Sequence, residues 1–270
     1  IVTRMPRHSS VAAKVETGSF GYLKGGASAS WAKGQWNNAL SGSFTRSDSY
    51  NRSRAGKLNM NFNGGKAFYQ GKYEDELVRV DWHTGLSTKG FGCNSFYSGY
   101  SDEQYERTLK NYTALQAVNK QGVFKFHPIV YWNRNFDRFE LFHNNPDAYP
   151  FNYHRTDIFG ANLNSYFDWV LGRTAFGMEL RQEEYVSGNM GEKLARPHHI
   201  HGTDRDYLYG INRTNVQLVF EHNILLPRFT LSMGMVALKN SWSEMRMKVY
   251  PSVDASYSIG RHWKVYASYN

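Results

Sequence analysis

The segment TAFGMELRQ, residues 174 to 182, alternates strictly. Thr174, Phe176, Met178 and Leu180 fall on one side of an extended chain, and Ala175, Gly177, Glu179 and Arg181 fall on the other. The same two-residue period recurs along the molecule, which is the signature of strands with two unlike faces. GASASWAKG sets Ala27, Ala29 and Trp31 against Ser28 and Ser30, and NALSGSFTR sets Leu40, Gly42 and Phe44 against Ser41, Ser43 and Thr45. VRVDWHTGLS places Val78, Val80, Trp82 and Leu86 opposite Arg79, Asp81, His83, Gly85 and Ser87. NVQLVFEH, FTLSMGMVA and VDASYSIG repeat the scheme, with Leu218, Met233 and Val253 among their apolar positions. Only DEQYERTLKNYTALQAV reads at all as a helix, and its β-branched and aromatic residues suit a strand equally well.

The pattern predicts about thirteen strands, near 11–21, 23–33, 38–48, 54–74, 77–88, 104–118, 122–133, 155–170, 173–187, 207–224, 228–241, 247–258 and 263–270. Many reach ten or more residues, against ~5–6 in ordinary globular sheets and ~9–11 for a strand that crosses a bilayer at a tilt. The connections alternate between brief ones, such as AKGQWN, YEDELV, NKQGV and VLGRT, and long aromatic ones. The long ones include TKGFGCNSFYSGYSDEQ, NRNFDRFELFHNNPDAYPFNYH and SGNMGEKLARPHHIHGTDRDYLYG. In an up-and-down barrel that alternation puts tight turns at one rim and loops at the other.

Lipid offers backbone groups no hydrogen-bond partners, so a sheet spans it only by closing on itself. A charge aimed at the bilayer midplane costs ~2–4 kcal/mol, which obliges Glu179 and Arg181 to face a hydrated interior. The expected fold is therefore all-β, an antiparallel up-and-down transmembrane β-barrel. Trp31, Trp132, Trp169, Trp242 and Trp263 are its expected interface aromatics. A soluble β-sandwich with one wet face gives the same alternation and stays open at this point.

Composition narrows the choice. Aromatics make up 16% of the chain, too many for a disordered segment. No run approaches the ~18 apolar residues of a membrane helix. The net charge of +9 is spread along the sequence without a cluster of basic residues, which argues against a nucleic-acid partner. The single cysteine, Cys93, excludes an intramolecular disulfide and a cysteine-rich zinc site. Neither a nucleophile elbow, a phosphate-binding glycine loop nor a His-Glu-x-x-His pair is present, so no catalytic residue is assigned.

IVTRMP at the start resembles the last plug strand of TonB-dependent outer-membrane receptors. AKVETGSFGYLKGGASASWAKGQWNNALSGSFTRSDSYNRS is similar to their first three barrel strands, and GRHWKVYASYN to a later one. GKAFYQGKYEDELVRVDWHTGLSTKGFGCNSFYSG resembles the next hairpin in the Bacteroidetes-type cobalamin-receptor branch. The resemblance implies that residues 1–8 end a plug domain and 9–270 form the N-terminal part of a barrel, about thirteen of 22 strands. It implies import of a scarce nutrient across the outer membrane of a Gram-negative bacterium, with cobalamin or a related corrinoid first and a ferric siderophore second. A barrel hydrolase of the same membrane is the weaker alternative. The implied partners are the TonB energy-coupling protein, acting through the missing plug, outer-membrane lipid, and a surface lipoprotein over the mouth.

Three loop clusters carry candidate chemistry. FGCNSFYSGY and NNPDAYPFNYH combine aromatic faces with amides, apt for a bulky amphipathic ligand at a barrel mouth. They nominate Phe91, Asn94, Phe96, Tyr97, Asn145, Tyr149 and Tyr153 as ligand-binding residues. Asp102, Glu103 and Glu106 offer hard oxygens for calcium in an outer loop, although their spacing is not that of a twelve-residue calcium loop, so no resident cofactor is expected. RPHHIHG places His199 and His201 on one strand face, beside His198, Asp204 and Asp206, but a solvated loop is the plainer reading and no metal is assigned. Asp81 and His83, on one face of one strand, are expected to form a hydrogen-bonded interior pair.

Overall fold

The structure is a computed structural model that describes residues 8–50, 52–53, 56–146, 149, 152–242 and 246–270, with backbone alone at 52–53 and 56–57. IVTRMP, and with it the proposed end of a plug, lies outside the described residues. Strand accounts for 76% of the described residues. The strands are β1 Ser10–Gly18, β2 Tyr22–Lys33, β3 Trp36–Ser47, the short β4 Arg52–Ser53 and β5 Gly56–Lys57, β6 Phe62–Glu74, β7 Val78–Asn94 and β8 Gln104–Asn119. There follow β9 Phe124–Glu140, β10 Asn152–Trp169, β11 Gly172–Ser187, β12 Glu192–His199, β13 Asp206–Leu225, β14 Phe229–Asn240, β15 Lys248–Ile259 and β16 Trp263–Tyr269.

Thirteen of these form one antiparallel meander, each pairing with the next in the chain, while β12 adds to the edge of β13 and β4 with β5 makes a separate hairpin. Each of the thirteen expected strands has a counterpart among them, but the expected 54–74 strand begins only at Phe62, with β5 split off into a hairpin. β7 and β9 run on to Asn94 and Glu140, past their expected ends at 88 and 133, into stretches expected to be loop. The stretch that hovered between helix and strand is β8, and β4, β5 and β12 are additions within the long connections. All-antiparallel, sequential pairing is the up-and-down topology.

Cross-strand register fixes the two faces, because directly opposed residues share one. One row runs Pro128, Leu163, Met178, Leu218, Ala237 and Val249. The row below it runs Phe126, Ser165, Phe176, Phe220 and Met235. Every apolar set read from the sequence falls on this same face. Phe176, Met178 and Leu180 are all exposed, whereas the intervening Ala175, Gly177, Glu179 and Arg181 are half-buried. Crowded polar residues backed by exposed apolar ones invert the order of a soluble sheet, where burial goes to the apolar side.

The apolar face is bounded by aromatics. Towards the short turns lie Trp31, Trp36, Tyr73, Trp82, Phe124, Phe167 and Trp169, with ring centroids 4.8 Å apart for Trp36–Tyr73 and 4.9 Å for Phe124–Phe167. Towards the long loops Trp132 stacks on Phe159 at 5.9 Å and 4°. Between these limits β9 runs from Phe124 to Trp132, nine residues, the length of a tilted span.

The polar face is a network. Tyr131 donates to Glu179 at 2.7 Å, Gln116 meets His127 at 3.1 Å, and Glu183 bridges Arg181 and Arg213. Tyr131 lies flat across Gly160 on the next strand, where any Cβ would collide with the ring. Asp81 and His83 do share this face, but they are not bonded to each other. The Asp81 carboxylate takes two hydrogen bonds from Arg79, at 2.8 and 3.0 Å, and one from Gln116. His83 packs instead between Phe68 and Tyr112.

Candidate functional site

The long connections gather at the rim where β3, β7, β9, β11 and β14 end. Their frame is built from backbone and amide contacts. Gly92 N donates to Asn61 O at 2.8 Å and Asn94 N to Asn59 O at 2.9 Å, which knits the connection after β3 to the end of β7. Gln104 is fully buried at the foot of the β7–β8 loop. Its amide donates to Ser101 O at 2.7 Å while its oxygen accepts from Tyr97 N at 2.9 Å, so one side chain sets the loop's shape.

That loop turns Tyr97 back over the polar face. The phenol donates to Glu106 Oε2 at 2.8 Å, and the ring stands edge-on to Phe139 at 5.2 Å and to Phe96 at 4.9 Å. The bond to Glu106, then partial desolvation, pushes the Tyr97 phenol up to about 12, so it is a hydrogen-bond donor at any physiological pH. Phe91, Glu106, Phe139 and Asn152 form one directly paired row across β7 to β10. Lys89 sits 4.2 Å over the Phe91 ring, and Asn189 reaches across to Asn152 at 2.7 Å. One step lower, His154 contacts the Tyr185 and Ser187 hydroxyls, each at 2.9 Å. The result is a patch of ring edges, amides and hydroxyls at the top of the polar face, suited to a large molecule with both apolar and hydrogen-bonding surface.

The seven residues nominated from the sequence do not all meet there. Phe91, Phe96 and Tyr97 belong to the patch. Asn94 is a hinge of its frame, with φ +49° and its side-chain amide on Ser95 at 3.3 Å. Asn145 and Tyr149 lie in the β9–β10 connection, Tyr149 exposed. Tyr153 points to the opposite face, where its hydroxyl accepts from Arg138 at 3.1 Å and its ring packs with Val186, Ile200 and Tyr207. Phe139, Asn152, His154 and Tyr185 were not nominated from the sequence, and Glu106 was read there only as a calcium oxygen; cross-strand register is what brings them beside Phe91.

Asp102 and Glu103 line a cavity of about 620 Å³ with Asp48, His143 and several amides, while Glu106 is turned away towards Tyr97. Among the described residues no three His, Cys, Asp or Glu side chains converge as a metal cage. His199 bonds Asp206 at 3.2 Å, and its ring stands 6.3 Å from that of His201.

No protein-family model matches the sequence, and no curated protein is similar to it. Solved structures do match. The siderophore receptor PirA of Pseudomonas aeruginosa superposes with a TM-score of 0.65 at 14% identity, over 98% of this chain and 43% of that one. A mutant of the ferric enterobactin receptor PfeA from the same organism gives 0.69 at 12% identity, over 98% and 44%. The FrpB iron transporter of Neisseria meningitidis gives 0.66 at 15% identity, over 96% and 44%. The chain thus spans less than half the length of these structures. What the likeness shows is the fold: an antiparallel sheet with the strand arrangement of the barrels of TonB-dependent outer-membrane receptors.

Proposed function

We propose that this chain is barrel wall from an outer-membrane receptor of the TonB-dependent kind, which captures a scarce, bulky nutrient at its loop rim and passes it inward. The observation that carries the reading is the exposed apolar face, bounded above and below by aromatics, backed by a charged face that ends in the Tyr97–Phe139 patch. Hydrocarbon is the solvent that such a face fits, and a hydrated bore is the place for its reverse. The role is binding and translocation, with no bond made or broken in the cargo. Energy would come from an inner-membrane TonB protein, and a surface lipoprotein would find docking area on the aromatic loops.

The cargo we favour is cobalamin or a related corrinoid, on the resemblance of the 65–99 hairpin to the cobalamin branch. A ferric siderophore is the second reading, favoured by the solved structures that match, among them a siderophore receptor and a ferric enterobactin receptor. Full-length protein purified from outer membranes is to be titrated with cyanocobalamin and, separately, with ferric enterobactin. The proposal expects submicromolar affinity for the corrinoid and a loss of tenfold or more in the double variant Tyr97→Ala, Phe139→Ala. Tight binding of the siderophore alone would replace the cargo, and binding of neither would remove the receptor reading of the patch.

A further inference from the structure

The polar face carries a second concentration of chemistry below the rim patch. Lys66, Ser87 and Lys110 are directly paired across β6, β7 and β8, and Lys89 stands two residues above Ser87 on the same face. Neighbouring strands lie ~4.8 Å apart and residues two apart on a strand ~7 Å, so three ammonium groups surround one serine. Each lysine is exposed, and none forms an ion pair among the described residues.

Two carboxylates face the same space from β8 and β9. Glu106 accepts from Tyr97 at 2.8 Å, and Asp137, directly opposite Thr108, lies within electrostatic reach of Lys110. They offset part of the charge but none of that on Lys66. Its cross-strand partners are Ser43 and Ser87, and the positions two away from those on the same face are Ser41, Thr45, Gly85 and Lys89.

An aromatic floor runs beneath. Ser41, Phe68, Gly85 and Tyr112 form one directly paired row across β3, β6, β7 and β8. Gly85 has no Cβ, so the Tyr112 ring lies across it and stacks on Phe68 at 6.0 Å and 29°, with His83 6.0 Å away. Tyr112 is nonetheless exposed to the interior. Ser41, Ser43, Lys66, Phe68, Ser87 and Tyr112 line a cavity of about 220 Å³. A whole drug-sized molecule takes ~300–1,000 Å³; this is room for one ring and the anion attached to it.

Lysine is a compact charge with three donors, suited to phosphate or phenolate oxygens, and an exposed ring beside it takes a flat ring by stacking. We propose that this is the lower subsite of the cargo site, binding a flat aromatic ring that carries anionic oxygens. Lys66, Lys89 and Lys110 hold the oxygens and Tyr112 packs against the ring. The subsite lies four residues below Phe91 along β7, ~13 Å, so one bulky cargo spans both. The inference rests on the receptor reading and adds the chemistry of the cargo's leading end. Both cargoes named above contain such a group, a phosphodiester beside a benzimidazole in the corrinoid and catecholates in the siderophore.

The test titrates full-length protein from outer membranes with cyanocobalamin, with dicyanocobinamide, which lacks the phosphodiester and benzimidazole, and with ferric enterobactin. If the corrinoid is the cargo, the wild type should bind cyanocobalamin at least tenfold more tightly than dicyanocobinamide. Lys66→Gln with Lys89→Gln and Lys110→Gln should abolish that preference and leave dicyanocobinamide affinity unchanged, whereas the three arginine replacements should keep it. Tyr112→Ala should reduce it at least threefold. If ferric enterobactin is the cargo, the glutamine triple variant should weaken its binding at least tenfold. Should that variant fail to fold, Lys66→Gln alone is expected to cost threefold, since Lys66 has no ion pair to lose. Equal wild-type affinity for the two corrinoids, or a glutamine variant that binds its cargo as tightly as the wild type, would overturn the inference while leaving the receptor reading intact. Binding of neither cargo would overturn both.

Discussion

The lower and upper halves of β9–β11 share one alternation and one face, yet they are built for different solvents. Below Trp132 that face is Phe126, Val130, Leu163, Met178 and Leu180. Above it the same positions become Arg134, Asp157, Glu184, Arg155 and Arg138. Alternation therefore reports only that a strand has two faces. The point along the strand at which charge enters the apolar series reports where the hydrocarbon ends.

The sharpest way to break the comparison is to move charge across that border. Met178→Arg puts a cation in the middle of the apolar band and should cost about 2–4 kcal/mol of folding free energy in phospholipid vesicles, read by denaturant titration. Phe136→Arg, on the same face in the upper half, should cost less than a quarter as much. Comparable losses at the two positions would erase the distinction between the halves.

Next in size is Asp157→Ala. It strips the carboxylate, only 1% exposed, from between two guanidiniums and the Trp132 indole, which donates to it at 3.1 Å. A loss of about 1.5–3 kcal/mol is expected, the worth of hydrogen bonds to a buried charge, and the same titration measures it. Gly160→Val tests the polar face. It forces the Tyr131 ring off its neighbour strand and should cost about 1–3 kcal/mol as overpacking, whereas Gly25→Val, with open space at its Cβ position, should be close to neutral.

The smallest effect concerns pH and the rim. Because the Tyr97 phenol is raised above its ordinary value to about 12, its bond to Glu106 contributes stability that is complete below the unfolded tyrosine range. That contribution fades as pH rises through about 12. The stability gap between the wild type and Tyr97→Phe should accordingly be constant from neutral pH to about 10 and narrow above it. A gap that widens with alkalinity would remove the hydrogen bond from the account.

The fold was legible because each lipid-length strand repeats its alternation many times. A run such as Phe176, Met178 and Leu180 against Gly177, Glu179 and Arg181 leaves little room for another period. Loop-borne strands were not legible. β12, LARPHH within Glu192–His199, has no alternation, and it exists because β13 outruns β14 and leaves an edge to fill. The site was half legible. Phe91 and Tyr97 stood out as aromatic loop residues, but Glu106 and Phe139 join them only through cross-strand register, which a single sequence does not display. Tyr153 shows the converse hazard. Next to an aromatic loop in sequence, it lies on the other side of the wall, since one step along a strand reverses the face.

The most direct test of the two-faced wall is solvent accessibility of spin labels in lipid vesicles, in a Cys93→Ser background. Labels placed one at a time at Met178, Leu218, Gln217 and Phe136 separate the band, its reverse and the upper wall. Met178 and Leu218 should be relaxed by oxygen dissolved in lipid and shielded from a water-soluble nickel chelate, with Gln217 and Phe136 showing the opposite. Nickel access at Met178 and Leu218 equal to that at Phe136 would mean that no hydrocarbon meets this face.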